Sequence, residues 1–170
     1  MAFTVNHKEA GSDILLPEGE YEVIIKNAFL SKTANGAECI SLRLTVRNDC
    51  GQKYENYMIF DNLYKRREPT SADMAVDGYS AKQIQTLSKS AGLPDGKNYS
   101  GIDEWVKDLV GKLLRVTIKH EDYNGKTNAR VQWRNETKRP NCTHIWKDIN
   151  PAAENIGFTE EGNEDDDVPF

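Results

Sequence analysis

Aromatic and cationic residues interleave in the stretch YENYMIFDNLYKRR, where Tyr54, Tyr57, Phe60 and Tyr64 lead into Lys65, Arg66 and Arg67. A second set occupies KHEDYNGK, with Tyr123 between Lys119 and Lys126. Flat rings stack on unpaired bases and cations follow phosphates, so this mixture is what contact with a single nucleic-acid strand requires. Other chemistries fit poorly. GLPDGKN has too few residues between Gly92 and Gly96 for a phosphate-binding P-loop, and Asn98 stands where a magnesium-holding Ser or Thr belongs. His7, His120 and His144 lack a nucleophile or paired-ligand context, and neither G-x-S-x-G nor H-E-x-x-H occurs. Cys39, Cys50, Cys142 and His144 match no zinc-finger spacing. The sequence therefore predicts a protein that is not an enzyme and carries no cofactor or metal.

Five strands and a helical segment must position these residues. GEYEVIIKNAFLSKT alternates like a mostly buried strand, and ANG at 34–36 supplies a turn. ECISLRLTVRND is the cleanest period-2 segment, with Ile40, Leu42, Leu44 and Val46 on one face and Ser41, Arg43, Thr45 and Arg47 on the other. A third strand is predicted over KYENYMIFD, with its inward set either Tyr54, Met58 and Phe60 or Tyr57 and Ile59; residues 61–78 read as a long loop. Ile84, Leu87 and Ala91, then Ile102, Trp105, Val106, Leu109 and Val110, recur at helical spacing. Two strands close the body around the hairpin signal YNGK, with Leu114, Val116 and Ile118 inward on one and Ala129, Val131 and Trp133 inward on the other.

This order predicts a mainly β fold: an OB-fold-like five-stranded barrel with a helical segment between strands 3 and 4, a design that binds oligonucleotides across its strand 2–3 face and neighbouring loops. Strict alternation puts Arg43, Arg47, Arg115, Lys119, Arg130 and Arg134 on the outer faces, where they are the candidate phosphate contacts. Tyr64 and Tyr123, in predicted loops, are the candidate stacking rings, with Lys65, Arg66, Arg67 and Lys126 beside them.

The formal net charge of −5 divides unevenly. Residues 151–170 hold seven carboxylates and no Lys or Arg, which leaves 22 Lys and Arg against 20 of the 27 Asp and Glu in residues 1–150. The expected organisation is an OB-like domain over 1–150 and a disordered acidic tail over 151–170. No signal-peptide pattern or apolar span is visible, so a cytoplasmic setting with reduced cysteines and no membrane partner is expected.

The last six residues, Asp165, Asp166, Asp167, Val168, Pro169 and Phe170, resemble the acidic tip of bacterial single-stranded-DNA-binding proteins, which reads Asp-Asp-Asp-Ile-Pro-Phe. The body, through LPEGEYEV at 16–23 and IQTLSKSAGLPDG at 84–96, is similar to a phage-encoded family. The resemblance implies a phage replication or recombination protein in the host cytoplasm. Its tip would recruit replication, recombination or repair proteins, with the phenylalanine in an apolar pocket and the aspartates on a basic surface. The expected function is coating of single-stranded DNA with low sequence specificity. A strand-annealing or recombination-mediator protein and a DNA-independent adaptor or inhibitor acting through the tip are the alternatives, and a homo-oligomer is compatible with each.

Overall fold

Apolar alternation at period 2 becomes a five-stranded antiparallel sheet, built from β1 (Gly19–Lys32), β2 (Glu38–Val46), β3 (Met58–Tyr64), β4 (Leu113–Tyr123) and β5 (Lys126–Asn135). The structure is a computed structural model that describes residues 2–5 and 15–147. Its strand order is β3-β2-β1-β4-β5. The helices α1 (Ser71–Met74), α2 (Ala81–Ser90) and α3 (Ile102–Leu109) all lie between β3 and β4. This is the mainly β, OB-fold-like arrangement that the element order predicts. The sheet is open between its edge strands β3 and β5, which share no backbone ladder. A side-chain bridge spans that gap instead: Arg134 Nε and Nη2 donate to Asp61 Oδ2 and Oδ1 at 2.6 and 2.7 Å.

The inner face collects Val23, Ile25, Ile40, Leu42, Leu44, Leu114, Val116 and Ile118, all essentially without solvent exposure. Helix α3 packs on β1 and supplies Trp105, Val106 and Leu109; α2 lies against β5 and supplies Ile84 and Leu87. The Trp105 indole donates to Ser88 Oγ at 2.8 Å, so its one polar atom is satisfied in the core. Ser80 caps α2 by accepting from the Gln83 amide, and Gly92 takes the left-handed conformation (φ 76°) that lets Leu93 N–H return to Ser88 O. Val110, in phase with this apolar stripe, falls just beyond the last turn of α3 and is exposed.

The third strand begins and ends later than predicted. Residues 53–56 form a turn with Tyr54 and Asn56 at positive φ, and pairing with β2 runs from Met58 to Tyr64. The inward set is therefore Ile59, Asp61 and Leu63, while Phe60, Asn62 and Tyr64 point outward. Tyr64 lies on the strand, not in a loop.

A β-bulge changes the phase of β5. Ile118 pairs with Val131, but Thr117 pairs with Trp133, so Gln132 is the extra residue. Every side chain after it changes face. Trp133, expected inward, is 60 % exposed opposite Thr117, and Arg134, expected outward, lies opposite inward-facing Val116. Trp133→Ala is accordingly expected to lower stability by no more than about 1 kcal/mol, as for an ordinary surface position. A denaturant midpoint measurement checks this, and a core-sized loss would contradict the assigned face.

Candidate nucleic-acid interface

Pairing of β1, β2 and β3 builds one outer surface from alternate residues. Arg43 lies opposite Asn27 on β1 and Phe60 on β3, Ser41 lies opposite Phe29 and Asn62, and Cys39 lies opposite Tyr64. The result is a row of rings with a guanidinium inside it. Arg43 Cζ sits 5.0 Å from the Phe29 ring centroid and 5.6 Å from that of Phe60. These contacts fix the long Arg43 side chain in a preformed position and keep the two rings apart. Phe60 is 65 % and Tyr64 48 % exposed, so both keep ring surface available for stacking. The Asn62 amide lies between them on the same strand face, 3.5 Å from the Tyr64 hydroxyl. Large rings at i and i+4 of a strand that leave about half or more of their surface uncovered offer stacking on an external flat partner.

The β4–β5 hairpin supplies the second part. Asn124 (φ 52°) and Gly125 (φ 75°) make the tight turn that Asn-Gly favours, and Tyr123, the last residue of β4, is 69 % exposed opposite Lys126. Lys119 and Arg130 lie opposite each other across the hairpin. The hairpin is tied down at its base, where the His120 ring meets Leu16 O at 2.9 Å and the His120 amide donates to Glu18 at 2.8 Å. That amide holds the Glu18 carboxyl below its usual range. The sequence HED at 120–122 thus has a structural use.

The structure sorts the predicted cations into three kinds. Arg43, Arg67, Lys119 and Lys126 form no ion pair among the described residues. Lys65 is held by Glu38 at 2.8 Å, Arg66 by Asp73 at 3.0 Å, Arg115 by Glu20 at 2.7 Å and Arg130 by Glu121 at 2.8 Å. The carboxylates come from neighbouring segments, so no single strand's alternation reveals them. The Lys65 ammonium lowers the Glu38 carboxyl, and the Glu121 carboxylate raises the Arg130 guanidinium. Asp73 is occupied further: it accepts from the amides of Ala81 and Thr70 and so organises the loop that carries Arg66.

Arg47 and Arg134 do not lie on the outer face where alternation expects them. Arg134 closes the barrel gap through Asp61, because the bulge turned it inward. Arg47, one residue beyond β2, is fully buried. Its guanidinium donates to both Asp49 oxygens at 2.9 and 2.7 Å and to the carbonyls of Arg139 and Asn141 at 2.7 and 3.3 Å. Segment 137–147 is strapped to the β2–β3 turn by these bonds, by Thr143 N–H on Asp49, and by the Asn48 side chain paired with the backbone of Ile145. Thr137 and Lys138 add bonds to Glu22. This answers what 139–147 does, for which the sequence offers no pattern. Residues 165–170, the predicted partner-binding tip, lie outside the described residues.

Sequence reasoning also missed Phe29 and left the face of Phe60 undecided. The register with Arg43 is the signal that identifies both, and it exists only once the strands are paired. No helix among the described residues is long and apolar enough to cross a membrane. No curated protein matches the chain. Residues 3–149 match the model of a family described as a protein of unknown function (DUF669), and the chain belongs to that family.

Proposed function

We propose that this chain binds single-stranded DNA with little sequence preference, using the outer face of β1–β2–β3 and the β4–β5 hairpin. The observation that carries the reading is the row Phe29–Arg43–Phe60 with Tyr64, its Phe60 and Tyr64 rings exposed, on the β2–β3 face of an OB-like sheet. Bases stack on Phe60 and Tyr64, Arg43 offers both a flat cation and a phosphate contact, and Tyr123, Lys119 and Lys126 continue the path onto the hairpin. Duplex DNA keeps its bases stacked inside and gives these rings nothing to hold. The resemblance of Asp165–Phe170 to recruiting tips supports a role in phage replication or recombination, in which the tip brings partner proteins to the coated strand.

The test is fluorescence anisotropy with a labelled oligo-dT. Phe60→Ala and Tyr64→Ala are each expected to weaken binding by about 5- to 150-fold, the value of one lost base–ring stack. Both side chains are exposed, so thermal stability should hardly change. If both variants bound like the wild type, this face would not be the site. If the intact chain bound no single strand at low salt, a DNA-independent adaptor acting through its tip would replace the proposal.

A further inference from the structure

The open side of the sheet, between β3 and β5, holds a half-open cavity of about 260 Å³. Met58 and Phe60 line it from β3, Asn128 and Ala129 from β5, and Leu15 and Lys126 complete the lining the argument needs. On both strands these residues precede the bridged pair Asp61–Arg134, which fixes the two edges against each other. Phe60 belongs to two surfaces. Its ring meets the Arg43 guanidinium in the row on the outer face, and it also lines the cavity. A nucleic-acid strand laid along the row therefore reaches the cavity at Phe60 and, across it, Lys126 of the hairpin.

Size and lining select the guest. At about 260 Å³ the cavity lies just under the roughly 300–1,000 Å³ usual for small-molecule pockets, which suits one flat ring system. Leu15, Met58, Phe60 and Ala129 offer apolar surface to such a ring. Lys126 and Asn128 are exposed, and among the described residues the ammonium forms no ion pair and the side-chain amide no hydrogen bond. The Thr127 hydroxyl between them already donates to Asp122 at 2.6 Å. An amide both donates and accepts, so it answers the edge of any base and keeps preference among bases low. A base inside a duplex would first have to unpair and unstack to enter.

We propose that this cavity is a single-nucleotide slot: one unpaired base inserts between the β3 and β5 walls, with its edge on the Asn128 amide and its phosphate on Lys126. This deepens the single-strand reading above and rests on it. The experiment titrates labelled oligo-dT over a salt series with Ala129→Phe, which fills the slot, with Lys126→Ala and Lys119→Ala, and with each lysine change in the Ala129→Phe background. Lys119 shares the hairpin but does not line the cavity, so it is the control. Ala129→Phe should weaken binding about 5- to 150-fold, as the loss of one stacked base does. Each lysine change alone should flatten the log–log salt dependence by about 0.7. Once the slot is filled, Lys126→Ala should add little. Its double variant should fall short of the product of the two single losses by more than about twofold, the margin within which independent sites combine. Lys119→Ala should combine with Ala129→Phe inside that margin.

A urea midpoint shows whether Ala129→Phe folds, since Ala129 packs partly against the core. If the larger ring unseats the hairpin, Asn128→Ala takes its place from an exposed position, and should couple to Lys126→Ala and not to Lys119→Ala. Wild-type affinity in a folded Ala129→Phe, or a Lys126 effect as independent of the slot as that of Lys119, would overturn the slot, while losses in Phe60→Ala and Tyr64→Ala left the proposed function standing. A wild type that bound no oligo-dT would fail that function itself and the slot with it.

Discussion

Arg47→Met is expected to cost about 3–5 kcal/mol of stability, the loss typical when one partner of a buried ion pair is removed. The guanidinium is fully buried and its loss strands several groups at once. Asp49, almost equally buried, would lose both charged bonds, and the carbonyls of Arg139 and Asn141 would lose their donor. Glu22, 3.9 Å away, would lose the nearest positive charge. The strap at 137–147 should then detach, carrying Trp146, whose ring meets His144 edge-on at 4.7 Å. Chemical denaturation gives the loss, and hydrogen exchange over 137–147 shows where it falls. Replacing Asp49 by leucine in the same chain should recover much of the loss, because the more deeply buried carboxylate no longer stays without its partner. A loss below about 1 kcal/mol would mean that Asp49 finds solvent when Arg47 is gone.

The same pair sets an acid limit. The Arg47 guanidinium holds the Asp49 carboxyl well below the usual carboxylate range, with Thr143 N–H assisting and burial opposing. A carboxyl depressed in the folded state contributes stability that is complete above its unfolded value, near pH 4, and is lost as pH falls toward the folded value. Strap protection should thus persist at neutral pH and fade in acid. In Arg47→Met this acid dependence should vanish.

Breaking the Asp61–Arg134 bridge is the second large expected effect, and the two halves should differ. Arg134→Met leaves the Asp61 carboxylate buried with no other hydrogen-bond donor among the described residues, at a cost of about 3–5 kcal/mol. Asp61→Ala should cost less, since the Arg134 guanidinium is nearer solvent and can turn toward it. Because the bridge spans β3 and β5 where no ladder exists, either change should also let Phe60 and Tyr64 move relative to the hairpin and weaken oligo-dT binding beyond what stability explains. A double-mutant cycle in urea measures the coupling. Additive losses within about 0.5 kcal/mol would remove the bridge from its closing role.

Much of this architecture was legible along the chain. Ile40, Leu42, Leu44 and Val46 could only be the buried side of a half-exposed strand, and Asn124-Gly125 could only be a hairpin turn, because period and turn chemistry are local properties. Trp105 read as core for the same reason, since its helical neighbours share its face. Trp133 read as core and is not. Its local pattern is equally good, but one extra residue, Gln132, is defined only against the partner strand.

Local pattern along the chain accounts for the strand count, their order around a helical segment, the hairpin, the presence of rings among cations and the opposite charge of residues 151–170. Tertiary structure alone decided which of those groups can meet a ligand. Arg43 and Arg47 are indistinguishable by alternation, yet one lies between two rings on the outer face and the other is fully buried under a returning segment more than ninety residues away in the chain. Charge pairing is likewise non-local: Glu38, Glu121 and Asp61 reach Lys65, Arg130 and Arg134 only after pairing and curvature bring the strands together. Periodicity fixes which side of its own strand a residue takes, whereas the availability of a charge depends on every chain segment that passes within a few ångströms of it.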